Sequence, residues 1–268
     1  MVSIVILQYN NPQLTVQCID SLKERCTIPH EIILVDNNSD DPKARNLGKK
    51  LRGIRFVLNE TNEGFSRGNN IGAAIAEGNI FLFLNNDTIA EEDFITPIKK
   101  VFDGDRNIGI VGPRLLNGDR TLQLSAGNLP SIMNEMKDRA FSRSYEAGEP
   151  LTVRRAKTLY SVPREVKWVT GAALFIRRVL FEKLGGFDEG FFMFFEDKDL
   201  CHRARLSGAK IVYSPSGSLV HLRGASANSA TKSIYRTSQV RYYRKHRGKL
   251  EQILLKGYLR FTKKSIHG

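Results

Sequence analysis

Ile80-Phe81-Leu82-Phe83-Leu84-Asn85-Asn86-Asp87 is an unbroken apolar run that closes on one carboxylate. A run so short and so apolar reads as a strand buried on both faces. Asp87 then stands where that strand leaves its sheet, at the carboxyl end, where open α/β sheets bind ligands. A strand followed by an ordinary Asn/Asp turn accounts for the same residues. The choice between the two depends on what surrounds Asp87.

Working outward, strand and helix signals alternate through the first 115 residues at a spacing that implies βαβ units. Residues 2–7 form an apolar run, and Asn10-Asn11-Pro12 offers a cap, with Pro in the first turn, for a helix reaching about Arg25. Residues 31–35 make a second strand ending on Asp36-Asn37-Asn38-Ser39, and Asp41-Pro42 starts a short polar helix. Residues 54–58 make a third strand, 68–77 a small-residue helix, 80–84 the fourth strand, 91–102 a helix and 108–111 another strand. Ala73, Ala74 and Ala76 let the helix over 68–77 lie close to a sheet. The rhythm fails over 117–165. Residues 131–163 are polar, basic and poorly periodic, which predicts a lid or a disordered connection. Order returns with a strand over 169–176, a helix over 179–184 and strands over 209–213 and 218–221. The expected organisation is one α/β domain over 1–230, with halves 1–116 and 117–230, followed by a tail over 231–268.

Composition bounds the function. A chain of 268 residues with 41% apolar content can bury a sizeable core and reads as a soluble globular protein. No stretch approaches the roughly 18–20 apolar residues of a membrane span. The N-terminus lacks a basic region and a cleavage site, so no signal peptide is expected. Cys18, Cys26 and Cys201 are odd in number and unpatterned, which suits reduced thiols in a cytoplasmic protein. The net charge of +13 is uneven: residues 232–268 hold eleven Lys/Arg against Glu251 alone, leaving the body nearly neutral.

Three strands end on polar residues at one sheet edge: Gln8-Tyr9-Asn10, Asp36-Asn37-Asn38 and Asn85-Asn86-Asp87. Asp36 there either accepts from ribose hydroxyls or a base N–H, or closes an Asx-turn. Asp87 suits a hard divalent cation, which prefers oxygen ligands and itself binds phosphate oxygens. The chain has no G-x-G-x-x-G after its first strand and no G-x-x-x-x-G-K-[ST], which argues against a dinucleotide dehydrogenase and a P-loop NTPase. Gly64 opens the nearest thing to a glycine-rich loop, ahead of a helix whose amides could face a phosphate.

A second acidic cluster follows four aromatics in Phe191-Phe192-Met193-Phe194-Phe195-Glu196-Asp197-Lys198-Asp199. Apolar neighbours raise a carboxyl pKa, and a carboxylate so placed can serve as general base towards a hydroxyl. Alternatively these acids answer a helix dipole, with Asp199 pairing to Arg203 or Arg205. His221 ends a short apolar strand, either as a hydrogen-bonded structural residue or as a partner of Asp87 at a cation.

Together these motifs resemble the large inverting family 2 of GT-A glycosyltransferases, in particular its rhamnosyltransferase-like branch. The resemblance runs from Val2 to about Ser226 through Val2-Ser3-Ile4-Val5-Ile6-Leu7-Gln8-Tyr9-Asn10, Ile33-Leu34-Val35-Asp36-Asn37-Asn38-Ser39, Asn62-Glu63-Gly64-Phe65 and Phe83-Leu84-Asn85-Asn86-Asp87. It continues through Trp168-Val169-Thr170-Gly171-Ala172, Gly185-Gly186-Phe187-Asp188-Glu189, Phe195-Glu196-Asp197-Lys198-Asp199-Leu200 and His221. It implies a GT-A fold, a mostly parallel Rossmann-like sheet flanked by helices. It implies a UDP or dTDP sugar as donor, with Gln8, Tyr9, Asn10, Asp36, Asn38, Gly64, Asn69, Asn85, Asn86 and Asp87 on the donor side. Asn85-Asn86-Asp87 matches the D-x-D motif with its first Asp replaced by Asn. Asp87 would hold Mg²⁺ or Mn²⁺, His221 matches a further metal ligand, and Asp197 matches the catalytic base, with Glu196 the alternative. Trp168, Thr170 and Gly171 match the region shaping the sugar and acceptor site.

The implied reaction is one displacement at the anomeric carbon by an acceptor hydroxyl, with inversion, in cell-surface polysaccharide or glycolipid assembly. A metal-dependent nucleotidyltransferase and a sugar-nucleotide-binding homologue without activity are the rival readings. In the tail, Leu250, Ile253, Leu254, Tyr258 and Phe261 recur as one helical stripe beside Lys249, Lys256, Arg260, Lys263 and Lys264. A basic amphipathic helix predicts contact with an anionic membrane surface, here the inner face of the cell membrane; packing of the stripe on the body is the other reading. Arg241-Tyr242-Tyr243-Arg244-Lys245-His246-Arg247 interleaves aromatics with cations as nucleic-acid binders do, but the near-neutral body argues against that partner.

Overall fold

A computed structural model describes residues 1–222 and 229–264, with Ser229 and residues 260–264 described by backbone alone. The end of the family resemblance at Ser226, and the side chains of Arg260, Phe261, Lys263 and Lys264, lie outside the described residues.

The chain runs β1 (Val2–Gln8), α1 (Pro12–Arg25), β2 (His30–Asp36), α2 (Pro42–Arg45), α3 (Leu47–Lys50), β3 (Arg55–Leu58), α4 (Gly64–Ala74), β4 (Ile80–Asn85) and β5 (Thr88–Ile89). It continues with α5 (Ile95–Gly104), β6 (Ile108–Leu116), β7 (Leu122–Gln123), β8 (Ala126–Gly127), α6 (Ile132–Glu146), α7 (Pro150–Leu159), β9 (Arg164–Glu165) and β10 (Trp168–Val169). Last come β11 (Ala173–Arg177), α8 (Arg178–Lys183), α9 (Glu196–Leu206), β12 (Lys210–His221), α10 (Ser229–His246) and α11 (Lys249–Lys264). The main sheet has the order β3-β2-β1-β4-β11-β6-β12-β5, with β7 and β9 attached beside β6 and β12. Strands β1 to β4 pair in parallel, as do β6 and β12, while β11 is antiparallel to both β4 and β6.

The apolar run of β4 is buried on both faces, as its composition requires. Leu82 and Leu84 join a core with Ile4, Ile6, Leu34 and residues of α1 and α5. Phe81 and Phe83 join a second core on the opposite face, with Val5, Ile33, Val35 and residues of α8 and α9. Helix α4 lies close on that face because its glycines give way: a Cβ at Gly72 would stand 2.5 Å from Val5 Cγ1. Register then levels the strand ends, pairing Gln8 with Asp36 and Leu7 with Asn85, so the polar tips of β1, β2 and β4 share one edge.

Four sequence expectations are corrected. Residues 131–163 are not irregular: they hold α6 and α7. Helix α6 has no buried residue and α7 buries only Ala156, so neither carries the apolar stripe that periodicity detects. The small-residue helix starts at Gly64 and stops at Ala74, and α5 starts at Ile95. The two late strands are one, β12, with a register shift between Ser214 and Ser218. The apolar residues of α11 fall on two faces. Leu255, Tyr258 and Leu259 pack with Phe191, Phe195, Tyr242 and Tyr243, whereas Leu250, Ile253 and Leu254 are 70%, 64% and 50% exposed. Leu255 decides this, because it is the residue that meets the aromatic cluster. A boundary at 230/231 falls inside α10.

Candidate active site

At the ends of β1 and β2 the side chains serve the loop above them. Asp36 is fully buried; its carboxylate accepts from Gln8 Nε2 at 2.5 Å and from the Ser39 amide at 2.7 Å. Gln8 is spent as well, since its Nε2 also donates to Ala44 O and its Oε1 accepts from Thr15 Oγ1 at 2.7 Å. These two residues, expected on the donor side, are both buried at the strand ends. Tyr9 and Asn10 are exposed and both donate to Asp40 Oδ2, at 3.2 and 2.9 Å. Asn10 (φ +54°) and Asn38 (φ +62°) take the left-handed backbone that Asn tolerates, and Asn38 Oδ1 accepts from Arg45.

Gly64 also needs its residue type. Its φ is +73°, and a Cβ there would stand 2.4 Å from Phe192 O, so the α4 start and the aromatic stretch close on one another. Buried Asn37 ties β2 to this loop, donating to Asn62 Oδ1 and Gly64 O and accepting from Asn59 Nδ2 and the Glu63 amide. Asn69 is buried and donates to Phe65 O at 2.9 Å.

At the end of β4 the expected pair meets. Asp87 Oδ1 is 3.2 Å from His221 Nε2, with side chains only 13% and 12% exposed. Asn85 Nδ2 stands 3.3 Å from the same nitrogen, and Asn86 Nδ2 donates to Thr15 Oγ1. The other ring nitrogen, Nδ1, contacts Gln123 Oε1 at 2.8 Å. No group of three or more His, Cys, Asp or Glu residues gathers around a common point among the described residues. Asp87 and His221 nonetheless offer one oxygen and one nitrogen, a donor set that fits a small divalent cation completing its shell with phosphate and water.

The residues from Thr170 to Ala172 join this corner to the second acidic cluster. Ala172 O accepts from the Asn85 amide at 2.9 Å, while the adjacent Gly171 amide donates to Asp197 Oδ2 at 2.9 Å. Asp197 Oδ1 accepts from the Lys198 amide at 2.7 Å. Phe194 and Phe195, at φ +69° and +67°, hold left-handed backbone immediately before these acids, a strain of about 1–3 kcal/mol each that the surrounding packing must offset. Burial, reinforced by the Asp197 charge, pushes the Glu196 carboxyl well above the ordinary range, and its Oε2 has no hydrogen-bond partner among the described residues. Lys198 Nζ lies over the Trp168 and Phe195 rings, 4.9 and 4.4 Å from their centroids. Of the four aromatics expected to wall the acids, Phe191 and Phe195 pack instead against the C-terminal helices and Phe192 against Gly64. Asp199 takes the structural role foreseen for it, bonded to Arg203 Nε at 2.7 Å.

A family model described as glycosyl transferase family 2 matches residues 3–185. The chain belongs to that family. This family 2 chain is 31% identical to the O-antigen biosynthesis protein RfbC of Myxococcus xanthus over 248 residues, 90% of this chain and 19% of that protein. It is 33% identical to the N-acetylglucosaminyl-diphospho-decaprenol L-rhamnosyltransferase of Mycobacterium tuberculosis over 113 residues, 42% of this chain and 37% of that one. It is 26% identical to the rhamnosyltransferase WbbL of Escherichia coli K12, covering 82% and 83% of the two chains. The chain thus spans about a fifth to a third of the first two relatives and most of WbbL. A crystal structure of GalNAc-T7 with UDP, GalNAc and Mn²⁺ superposes with a TM-score of 0.65 at 19% identity, over 91% of this chain and 47% of that one. The fold is GT-A.

Sequence reasoning missed two residues of this site in the family 2 chain, Gln123 and the hub role of Asn37. Gln123 lies in the stretch without periodicity, and nothing local marks it; only the pairing of β6 with β7 brings it beneath His221.

Proposed function

We propose that this protein is an inverting glycosyltransferase, moving a sugar from a nucleoside diphosphate to an acceptor hydroxyl. One observation carries the reading. Two adjacent residues, Gly171 and Ala172, bond Asp197 and the Asn85-Asn86-Asp87 corner, so a base and a diphosphate end share one crevice. Tyr9, Asn10, Asn38, Gly64 and Asn69 border the donor side, with Gln8 and Asp36 supporting it from below. Asp87 and His221 would hold Mg²⁺ or Mn²⁺, which as a Lewis acid offsets charge developing on the departing diphosphate.

Asp197 is the base. Its two oxygens are oriented by backbone amides, leaving lone pairs for the acceptor proton. Burial pushes the Glu196 carboxyl well above the ordinary range, which disfavours its ionised form and leaves Asp197 the better base. Trp168, Thr170 and Gly171 shape the acceptor side, where the Trp168 ring offers a flat apolar platform beside Lys198. The hydroxyl attacks opposite the diphosphate, and a single displacement inverts the centre without a covalent enzyme intermediate.

The relatives' names support rhamnosyl transfer to a lipid-linked saccharide in O-antigen or related polysaccharide assembly, and this reading puts the protein at the inner face of the cell membrane. No described helix is long and apolar enough to cross one. The outward residues Leu250, Ile253 and Leu254, between exposed Lys249 and Lys256, support peripheral contact through α11. Nucleic-acid binding is disfavoured because Tyr242 and Tyr243 are fully buried and Arg241, Lys245 and Arg247 pair with Asp188, Asp199 and Glu251.

Asp197→Asn tests the reading. Transfer is expected to fall by about 10²-fold or more while nucleoside diphosphate affinity holds. Activity within about tenfold of the parent, ~1.4 kcal/mol of barrier, removes Asp197 as the base. Release of pyrophosphate in place of nucleoside diphosphate would make the enzyme a nucleotidyltransferase.

A further inference from the structure

The hairpin of β6 and β7 carries a run of hydrogen bonds whose direction is set at one end. Asp119 Oδ1 accepts from Thr121 Oγ1 at 2.6 Å, because a carboxylate with a hydroxyl beside it takes the hydrogen. Thr121 Oγ1 has then spent its proton and accepts from Asn117 Nδ2 at 2.9 Å. The Asn117 amide is thereby oriented, and its Oδ1 accepts from Gln123 Nε2 at 3.1 Å. That in turn orients Gln123, whose Oε1 faces His221 Nδ1 at 2.8 Å. Each member can be satisfied in only one sense.

We infer that this chain from Asp119 through Thr121 and Asn117 to Gln123 fixes His221 as its Nδ1–H tautomer and turns the bare Nε2 lone pair towards Asp87. Gln123 is a positioning residue, acting on His221 through its ring proton. On the far side Asn85 Nδ2, a donor only, stands 3.3 Å from Nε2 and also calls for a lone pair there. Asp87 Oδ1 is an acceptor 3.2 Å from the same atom and pulls the other way. Without Gln123 the neutral ring would carry its proton at Nε2 and donate it to Asp87. That would join the two groups to each other and close the face they present to a cation. The run of hydrogen bonds therefore holds an imidazole nitrogen ready beside Asp87. Second-shell partners that fix a histidine tautomer in this way typically alter metal affinity by 10–100-fold.

The inference about cation affinity rests on the proposed metal role of Asp87 and His221; the tautomer does not. The full chain, free of metal, is labelled with ¹⁵N at its five histidines, and His221 is assigned by comparison with His221→Gln. Long-range ¹H–¹⁵N spectra on the alkaline plateau of the ring's titration then read the tautomer. The parent and Gln123→Glu, which keeps an acceptor, are expected to show Nδ1–H, and Gln123→Leu Nε2–H. Asn117→Leu, which leaves the His221 contact itself intact but frees Gln123 to invert, is expected to show a mixture. Nε2–H in the parent, or Nδ1–H retained in both Leu variants, overturns the inference. Mn²⁺ binding, followed by EPR in the presence of UDP or dTDP, is expected to weaken at least tenfold in Gln123→Leu. A switched tautomer with unchanged Mn²⁺ affinity overturns the positioning role. Failure of the parent to bind Mn²⁺ with either nucleotide overturns the cation reading and leaves the tautomer result standing.

Discussion

At the residue scale, Asp87 is the position on which the donor end depends. It sits at the mouth of β4, where the buried apolar run ends, and it meets His221 across 3.2 Å. For Asp87→Ala, calorimetric titration of the nucleoside diphosphate is expected to lose its Mn²⁺-dependent part. Unchanged affinity with and without Mn²⁺ would take Asp87 out of the site. Asn85, the departure from the D-x-D pattern, was legible in the sequence. Its consequence was not: that an amide at this position faces His221 Nε2 follows from the pairing of β12 with β5, which brings His221 level with Thr88.

At the scale of elements, α9 and α10 are held together by buried charge. Asp199 is fully buried, and it meets Arg203, Lys245 and His246 at 2.7, 2.7 and 2.6 Å. Burial alone would raise its pKa; His246, Arg203 and Lys245 outweigh that and hold it well below the usual carboxylate range. Asp199→Ala leaves Arg203 and Lys245 without their buried partner and is expected to destabilise the fold by about 3 kcal/mol, read by denaturant unfolding. Beside it, His202 stacks on His246 at 4.2 Å and contacts Tyr242 OH at 3.0 Å. Burial, and then the neighbouring His246, lower the His202 pKa to about 4. A depressed pKa contributes stability that is whole above the unfolded value of about 6.5 and is lost as pH falls towards 4. The protection factors of amides in α10, exchange rates corrected for the intrinsic pH dependence, should therefore fall as pH drops from about 6.5 towards 4, and His202→Phe should remove most of that fall. Protection factors independent of pH in the parent would exclude a His202 contribution.

At the scale of the whole molecule, the C-terminal charge divides into two populations. Arg241 and Lys245 face Asp188 and Asp199 of the body, and Arg247 donates to Pro130 O, so all three anchor α10. Lys249 and Lys256 stay exposed beside Leu250, Ile253 and Leu254. The sequence presented this tail as one basic block with one apolar stripe, and only the docking of Leu255, Tyr258 and Leu259 separates an inward face from an outward one. Flotation with anionic vesicles is expected to capture the parent at low salt and to fail for Ile253→Glu/Leu254→Glu. Because both residues point outward, thermal stability should be unchanged in that double variant. Equal capture of parent and variant would leave α11 as packing alone.

Local chemistry by itself determined a great deal: the βαβ order, the buried β4, the polar strand tips at one edge and the acidic pair at the start of α9. These are legible because burial on one or both faces imposes a period, and turns and caps demand particular residue types. Tertiary structure alone decided the rest. Helices α6 and α7 bury almost nothing and so write no period into the sequence. Gln8 and Asp36 bond each other at the strand ends, which depends on a parallel register between strands 28 residues apart. Glu196 and Asp197, neighbours in the chain and both buried, differ in what meets them: Asp197 accepts from the Gly171 amide, whereas Glu196 Oε2 has no hydrogen-bond partner among the described residues. The tautomer of His221 is set by a hairpin about a hundred residues away, through hydrogen bonds whose partners meet only once the sheet has closed.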